Sequence, residues 1–113
     1  MSIFGSQIPS ITVRELADRQ AEPDAPFVLD VRQPHEREFA SIGGLHIEMS
    51  TLPDRLGEIE EHKDKEIVVY CRSGQRSANV VRFLQSNGFP KALNLEGGIL
   101  AWSREIDPAI KQY

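Results

Sequence analysis

Ile67-Val68-Val69-Tyr70-Cys71-Arg72-Ser73-Gly74-Gln75-Arg76-Ser77 carries the clearest strand signal in the chain, with a turn and a helix start directly after it. Its first four residues are continuously apolar, the pattern of a strand at the centre of a parallel sheet covered on both faces. The strand ends at Cys71. After the turn Arg72–Arg76, the segment from Ser77 to Asn87 sets Ala78, Val81 and Leu84 along one face of a predicted helix, and Asn87-Gly88 supplies a left-handed stop.

Downstream, Lys91 to Leu95 predicts a strand, followed by Gly97-Gly98 and a terminal helix carrying Ile99, Ala101 and Trp102 that Asp107-Pro108 ends. Upstream, Thr12-Val13-Arg14-Glu15 fits a capping box that opens a helix to about Gln20. Phe27-Val28-Leu29-Asp30-Val31 reads as a buried strand, in which the Asp30 carboxylate needs a partner. Pro34 opens a short helix to about Ala40, and Gly43-Gly44 turns the chain into a short strand at Leu45-His46-Ile47. Thr51 to Glu61 is expected to be a surface helix with Leu52, Leu56 and Ile59 on one face. Residues 1–10, uncharged and interrupted by Gly5 and Pro9, are expected to form a loosely attached arm whose Ile3, Phe4 and Ile8 rest on the domain. Strands alternating with helices predict an α/β layer structure with a mostly parallel sheet and right-handed crossovers, as one domain over residues 1–113.

Composition narrows the function. The 17 Asp and Glu outweigh the 13 Lys and Arg for a net charge of −4, opposite in sign to a nucleic-acid footprint. The longest apolar run falls far short of the ~20 residues of a membrane span, and no cation precedes Arg14, so the reading is of a soluble, cytoplasmic protein. A single cysteine excludes an internal disulfide and a multi-thiolate zinc site. Whatever Cys71 does, it does alone.

In parallel α/β sheets the ligand crevice lies beyond the carboxyl ends of the strands, where Cys71 stands. The turn after it holds two cations, a glycine that permits tight curvature, and amides that can converge before the helix begins. Between Cys71 and Arg82 there are three Arg and no acid in a chain that is acidic overall. This local reversal of sign favours an anionic substrate. A helix N-terminus and adjacent arginines lower a thiol pKa, so Cys71 is expected to be an exposed, largely ionised nucleophile rather than an inert core thiol.

Cys71-Arg72-Ser73-Gly74-Gln75-Arg76 resembles the active-site loop of the rhodanese family of sulfurtransferases. Leu29-Asp30-Val31-Arg32 resembles that family's Asp-Val-Arg strand end, and Leu95-Glu96-Gly97-Gly98-Ile99 with Ala101-Trp102 its carboxyl-terminal signature. The resemblance implies a three-layer domain with about five strands and helices on both faces. It implies a persulfide formed on Cys71, a donor bound by Arg72, Ser73, Gly74, Gln75, Arg76 and Ser77, and Asp30 and Arg32 in support. No metal or other cofactor is implied. The expected donors are a small anion such as thiosulfate or a protein persulfide, and the acceptors cyanide, thiols or a sulfur-carrier pathway. The segment from Trp102 to Tyr113 is similar to the tail of rhodanese modules that work with sulfur-carrier adenylating enzymes. Ser41 to Glu48 departs from the family pattern, so no role passes to His46.

Asp30 reads as a structural carboxylate rather than a base, because persulfide transfer needs none. Arg32 reads as a salt-bridge partner, His35, His46 and His62 as neither catalytic nor metal-bound, Trp102 as core, and Glu58–Glu61 as a solvated face. Two alternatives remain open. A Cys-dependent phosphatase or arsenate reductase would place five residues between Cys and Arg, where this loop has four. A silent docking module would keep the fold without the activity.

Overall fold

The computed structural model describes residues 8–113. Five strands, β1 (Ser10–Ile11), β2 (Phe27–Asp30), β3 (Leu45–His46), β4 (Ile67–Tyr70) and β5 (Ala92–Leu95), form one wholly parallel sheet in the order β1-β5-β4-β2-β3. Four α-helices connect them: α1 (Val13–Gln20), α2 (Pro34–Phe39), α3 (Gln75–Ser86) and α4 (Gly98–Glu105).

β4 lies at the centre because it can be buried on both sides. Ile67, Val69 and Cys71 enter one apolar cluster with Val80, Val81 and Leu84 of α3, while Val68 and Tyr70 enter a second with Val13, Leu16, Ile99 and Trp102 of α1 and α4. Alternation along a strand thus assigns Cys71 to the α3 side and its neighbour Tyr70 to the opposite side. Both edge strands have two residues, too short to template pairing with another chain. The expected capping box of α1 is formed: Glu15 N–H donates to Thr12 Oγ1 at 3.1 Å, and Thr12 N–H to Glu15 Oε1 at 2.8 Å.

Three elements differ from the sequence expectation. Residues 49–62 are three 3-10 turns, Met49–Asp54, Leu56–Glu58 and Glu60–His62, instead of an α-helix from Thr51 to Glu61. Pro53 has no N–H to donate and Gly57 disfavours helix, so i→i+3 bonds replace i→i+4 propagation. Leu52 and Ile59 are nevertheless buried, as their common face required, while Leu56 is half-buried. Next, α3 begins at Gln75, so Arg76 belongs to a helix rather than a loop, and Val80 is buried where Ala78 was expected. Last, Pro9 and Ser10 are not a loose arm: Asn94 N–H donates to the Pro9 carbonyl, and β1 pairs with β5. Ile8 packs on the core, whereas Ile3 and Phe4 lie outside the described residues.

The connections give the site its place. From β2 the chain moves through α2 outward to β3, whereas from β4 it moves through α3 the other way, to β5. The crevice between the carboxyl ends of β2 and β4 is therefore the topological switch point.

Candidate active site

Cys71 follows β4, and the next residues curl around its sulfur. Gly74 holds φ +105°, a left-handed backbone that a side-chain-bearing residue rarely adopts, and this kink turns its N–H inward. The sulfur receives the Gly74 N–H at 3.1 Å and the Ser77 N–H at 3.4 Å, with the Ser77 hydroxyl at 3.3 Å. The N-terminus of α3 thus points directly at it. Burial raises the thiol pKa, but the Ser77 hydroxyl and the amides of Ser77, Gly74 and Ser73 outweigh it, and the net shift is downward.

Ser77 has one hydroxyl proton and two candidate acceptors, Sγ of Cys71 and Oδ1 of Asn94, which is 2.5 Å away. With a neutral thiol, Cys71 donates to Ser77, which donates to Asn94. With a thiolate, the Ser77 proton turns to the sulfur. Asn94 also donates from Nδ2 to the Gly74 carbonyl at 3.2 Å, fixing the loop on β5. The sequence reading passed over Asn94, although a polar residue inside Ala92-Leu93-Asn94-Leu95 was a signal that a buried amide has partners there.

A second contact closes the loop from below. Ile99 N–H donates to the Cys71 carbonyl at 3.0 Å and Leu100 N–H to the Arg72 carbonyl at 3.2 Å, so the first turn of α4 binds the loop's main chain. Gly98 makes this approach possible: a Cβ there would lie 2.4 Å from the Arg72 carbonyl oxygen and 2.5 Å from that of Cys71.

The structure brings Cys71, Gly74 and Ser77 together as expected, with Ser73 and Gln75 exposed on the rim. It places three other features differently. Cys71 is 1% exposed instead of open to solvent, because the loop encloses the sulfur on the α3 side. Arg76, expected to face a donor, gives Nη1 and Nη2 to the two oxygens of Glu36 at 2.7 and 2.8 Å, across the crevice. Arg72 bends away to the main-chain oxygen of Tyr113.

Glu36 collects four donors. Besides Arg76, Gln33 N–H reaches Oε1 at 3.0 Å and the Tyr113 hydroxyl reaches Oε2 at 2.7 Å. The Arg76 guanidinium is the chief reason its pKa falls to about 2, so it stays ionised. Nothing local in the sequence singled out Glu36 or Tyr113, because their side-chain partners lie 40 and more residues away.

Asp30 and Arg32 are both fully buried and pair with one another. Asp30 Oδ1 accepts from Arg32 N–H at 3.0 Å and Nε at 2.9 Å, and Oδ2 from Arg32 Nη2 at 2.8 Å and Arg37 Nη1 at 3.2 Å. Burial raises the Asp30 pKa, the Arg32 hydrogen bonds and charge outweigh that rise, and the result is a carboxylate held below its usual range. Such a group is a poor base. His46 Nε2 sits 2.7 Å from the Arg32 carbonyl oxygen, and His62 stacks on Phe27 with ring centroids 3.9 Å apart. No helix among the described residues is long and apolar enough to cross a membrane.

A parallel sheet with a solitary cysteine in an amide-lined turn at its switch point defines the class, and comparison with known proteins agrees. The rhodanese-like domain model matches residues 12–105, and the chain belongs to that family. A sulfurtransferase of Allochromatium vinosum is 36% identical over 104 residues, covering 91% of this chain and 95% of the relative. A probable adenylyltransferase/sulfurtransferase of Mycobacterium tuberculosis is 33% identical over 92% of this chain, which spans 27% of that longer protein. The crystal structure of a rhodanese-like domain protein from Staphylococcus aureus superposes with a TM-score of 0.79 at 33% identity, covering 94% of this chain and 99% of the other.

Proposed function

We propose that this protein is a sulfurtransferase that carries a sulfane sulfur as a persulfide on Cys71. The observation that carries the reading is the convergence of the Gly74 and Ser77 amides and the Ser77 hydroxyl on one cysteine sulfur. The thiolate attacks the outer sulfur of the donor. A Cys71–sulfur bond forms, the donor's S–S bond breaks, and the leaving group departs with the electron pair, as sulfite from thiosulfate or as a thiolate from a persulfide. An acceptor such as cyanide or a thiol then attacks the terminal sulfur and restores the Cys71 thiolate. The two half-reactions balance without an oxidant, and inward amides stabilise the anionic sulfur at each stage. Donors of either kind fit this chemistry. The similarity to a longer adenylyltransferase/sulfurtransferase supports a protein partner in sulfur delivery.

Mass spectrometry after incubation with thiosulfate, and separately with a cysteine-desulfurase system, tests the reading. Cys71 is expected to gain the mass of one sulfur atom, removable by cyanide or thiols. Sulfur transfer retained by Cys71→Ser would refute it.

A further inference from the structure

Both cations of the Cys71 turn are engaged before any donor arrives, and one residue joins their partners. Arg72 donates from Nε and Nη2 to the main-chain oxygen of Tyr113, and its guanidinium lies over the Tyr113 ring at 5.3 Å. Arg76 is held by Glu36, and Glu36 in turn receives the Tyr113 hydroxyl at 2.7 Å. The same phenol oxygen accepts from Arg32 Nη1 at 2.8 Å, and the ring packs edge-on against Phe39 at 5.6 Å. Tyr113 therefore fixes Arg72 directly and steadies Arg76 through Glu36.

We infer that Tyr113 sets donor specificity, as a positioning residue that withdraws Arg72 and Arg76 from the donor and so favours persulfides over sulfonate-bearing donors such as thiosulfate. The inference rests on the sulfurtransferase reading and names its donor class. A sulfonate carries its charge on three oxygens beyond the transferred sulfur, and these need a cation or several donors at the mouth. For Arg72 to serve them it must first leave the Tyr113 oxygen and ring, so one charge-assisted contact is exchanged for another with little gain. Arg76 would have to abandon an ionised Glu36 that pairs with no other cation among the described residues. A persulfide carries its charge on the transferred sulfur itself and has no oxygens for either arginine to meet, and its sulfur is delivered to the Cys71 sulfur on which the Gly74 and Ser77 amides already converge.

Tyr113→Ala removes the ring, the hydroxyl and the anchor of the main-chain oxygen, and Tyr113→Phe removes the hydroxyl alone. With thiosulfate, Tyr113→Ala is expected to raise kcat/KM about tenfold, chiefly through KM, the scale of one charge-assisted contact. With glutathione persulfide the change is expected to stay within about twofold. Tyr113→Phe is expected to show a smaller gain in the same direction, and adding Arg72→Gln to Tyr113→Ala to abolish the gain. Thiosulfate binding to Cys71→Ser, measured by calorimetry with and without Tyr113→Ala, gives a readout free of turnover, and about tenfold tighter binding is expected. Binding that is unchanged or weaker, with circular dichroism matching the parent, overturns the inference. Should Tyr113→Ala fail to fold, thiosulfate binding to Cys71→Ser carrying Tyr113→Phe decides by the same criterion. Wild-type protein that takes sulfur from neither donor refutes the sulfurtransferase reading, while the dissociation constants still decide on Tyr113.

Discussion

Ser77 shows how little chemistry beyond the main chain is needed to activate the cysteine. Three amides, of Ser73, Gly74 and Ser77, and one hydroxyl overcome the burial of Cys71, and only the hydroxyl can be removed by substitution. Ser77→Ala is expected to move the Cys71 pKa upward, and the pH dependence of its alkylation measures this. Because Cys71 is 1% exposed, alkylation of the wild-type protein is expected to be slower than its thiolate character alone would give, with small reagents favoured over bulky ones. Alkylation of Ser77→Ala with the same inflection as wild type would mean that the amides of Ser73, Gly74 and Ser77 suffice.

At the scale of elements, α4 is the support on which the active turn rests. Its first amides take the carbonyls of Cys71 and Arg72, and Gly98 at φ +60° allows the contact. Gly98→Ala is expected to destabilise the protein by about 1 to 3 kcal/mol, from the clash with two main-chain oxygens and the left-handed backbone. Urea unfolding checks the stability, and loss of Cys71 persulfidation in folded protein would show that the turn has been displaced. The Gly97-Gly98 pair was legible as a break between strand and helix, but its approach to the Cys71 and Arg72 carbonyls was not, because those residues lie more than 20 positions away. The central strand, its cysteine and the capping box of α1 were legible because each is written in consecutive residues. What the sequence hid depends on distant pairing. Arg76 read as a free cation because Glu36 is 40 residues away, and the 3-10 segment read as an α-helix because its buried Leu52 and Ile59 obey helical spacing while Pro53 and Gly57 decide the hydrogen bonding.

Across the whole molecule, one ionic network joins the carboxyl end of β2, helix α2, the start of α3 and Tyr113, through Asp30, Arg32, Glu36 and Arg76. Its carboxylates set the response to acid. Glu36 binds its proton more weakly in the folded state, where its pKa is about 2, than in the unfolded chain, where it is near the ordinary 4.5. A depressed folded pKa contributes stability above the unfolded value and loses it as pH falls towards the folded one. Asp30, also depressed, acts in the same direction. Stability is therefore expected to be level near neutrality and to decline from about pH 5 downward, most of the Glu36 share being gone near pH 2. Glu36→Gln keeps the shape of the side chain and removes the charge that faces Arg76. It is expected to be about 2 kcal/mol less stable than wild type at pH 7, the scale of a hydrogen bond to a charged group. The two curves should then converge as the pH approaches 2, where wild-type Glu36 itself becomes protonated. Urea titrations of both proteins between pH 7 and pH 2 measure the difference. A gap that stays constant across that whole range would show that the substituted amide fails through packing rather than through the lost ion pair.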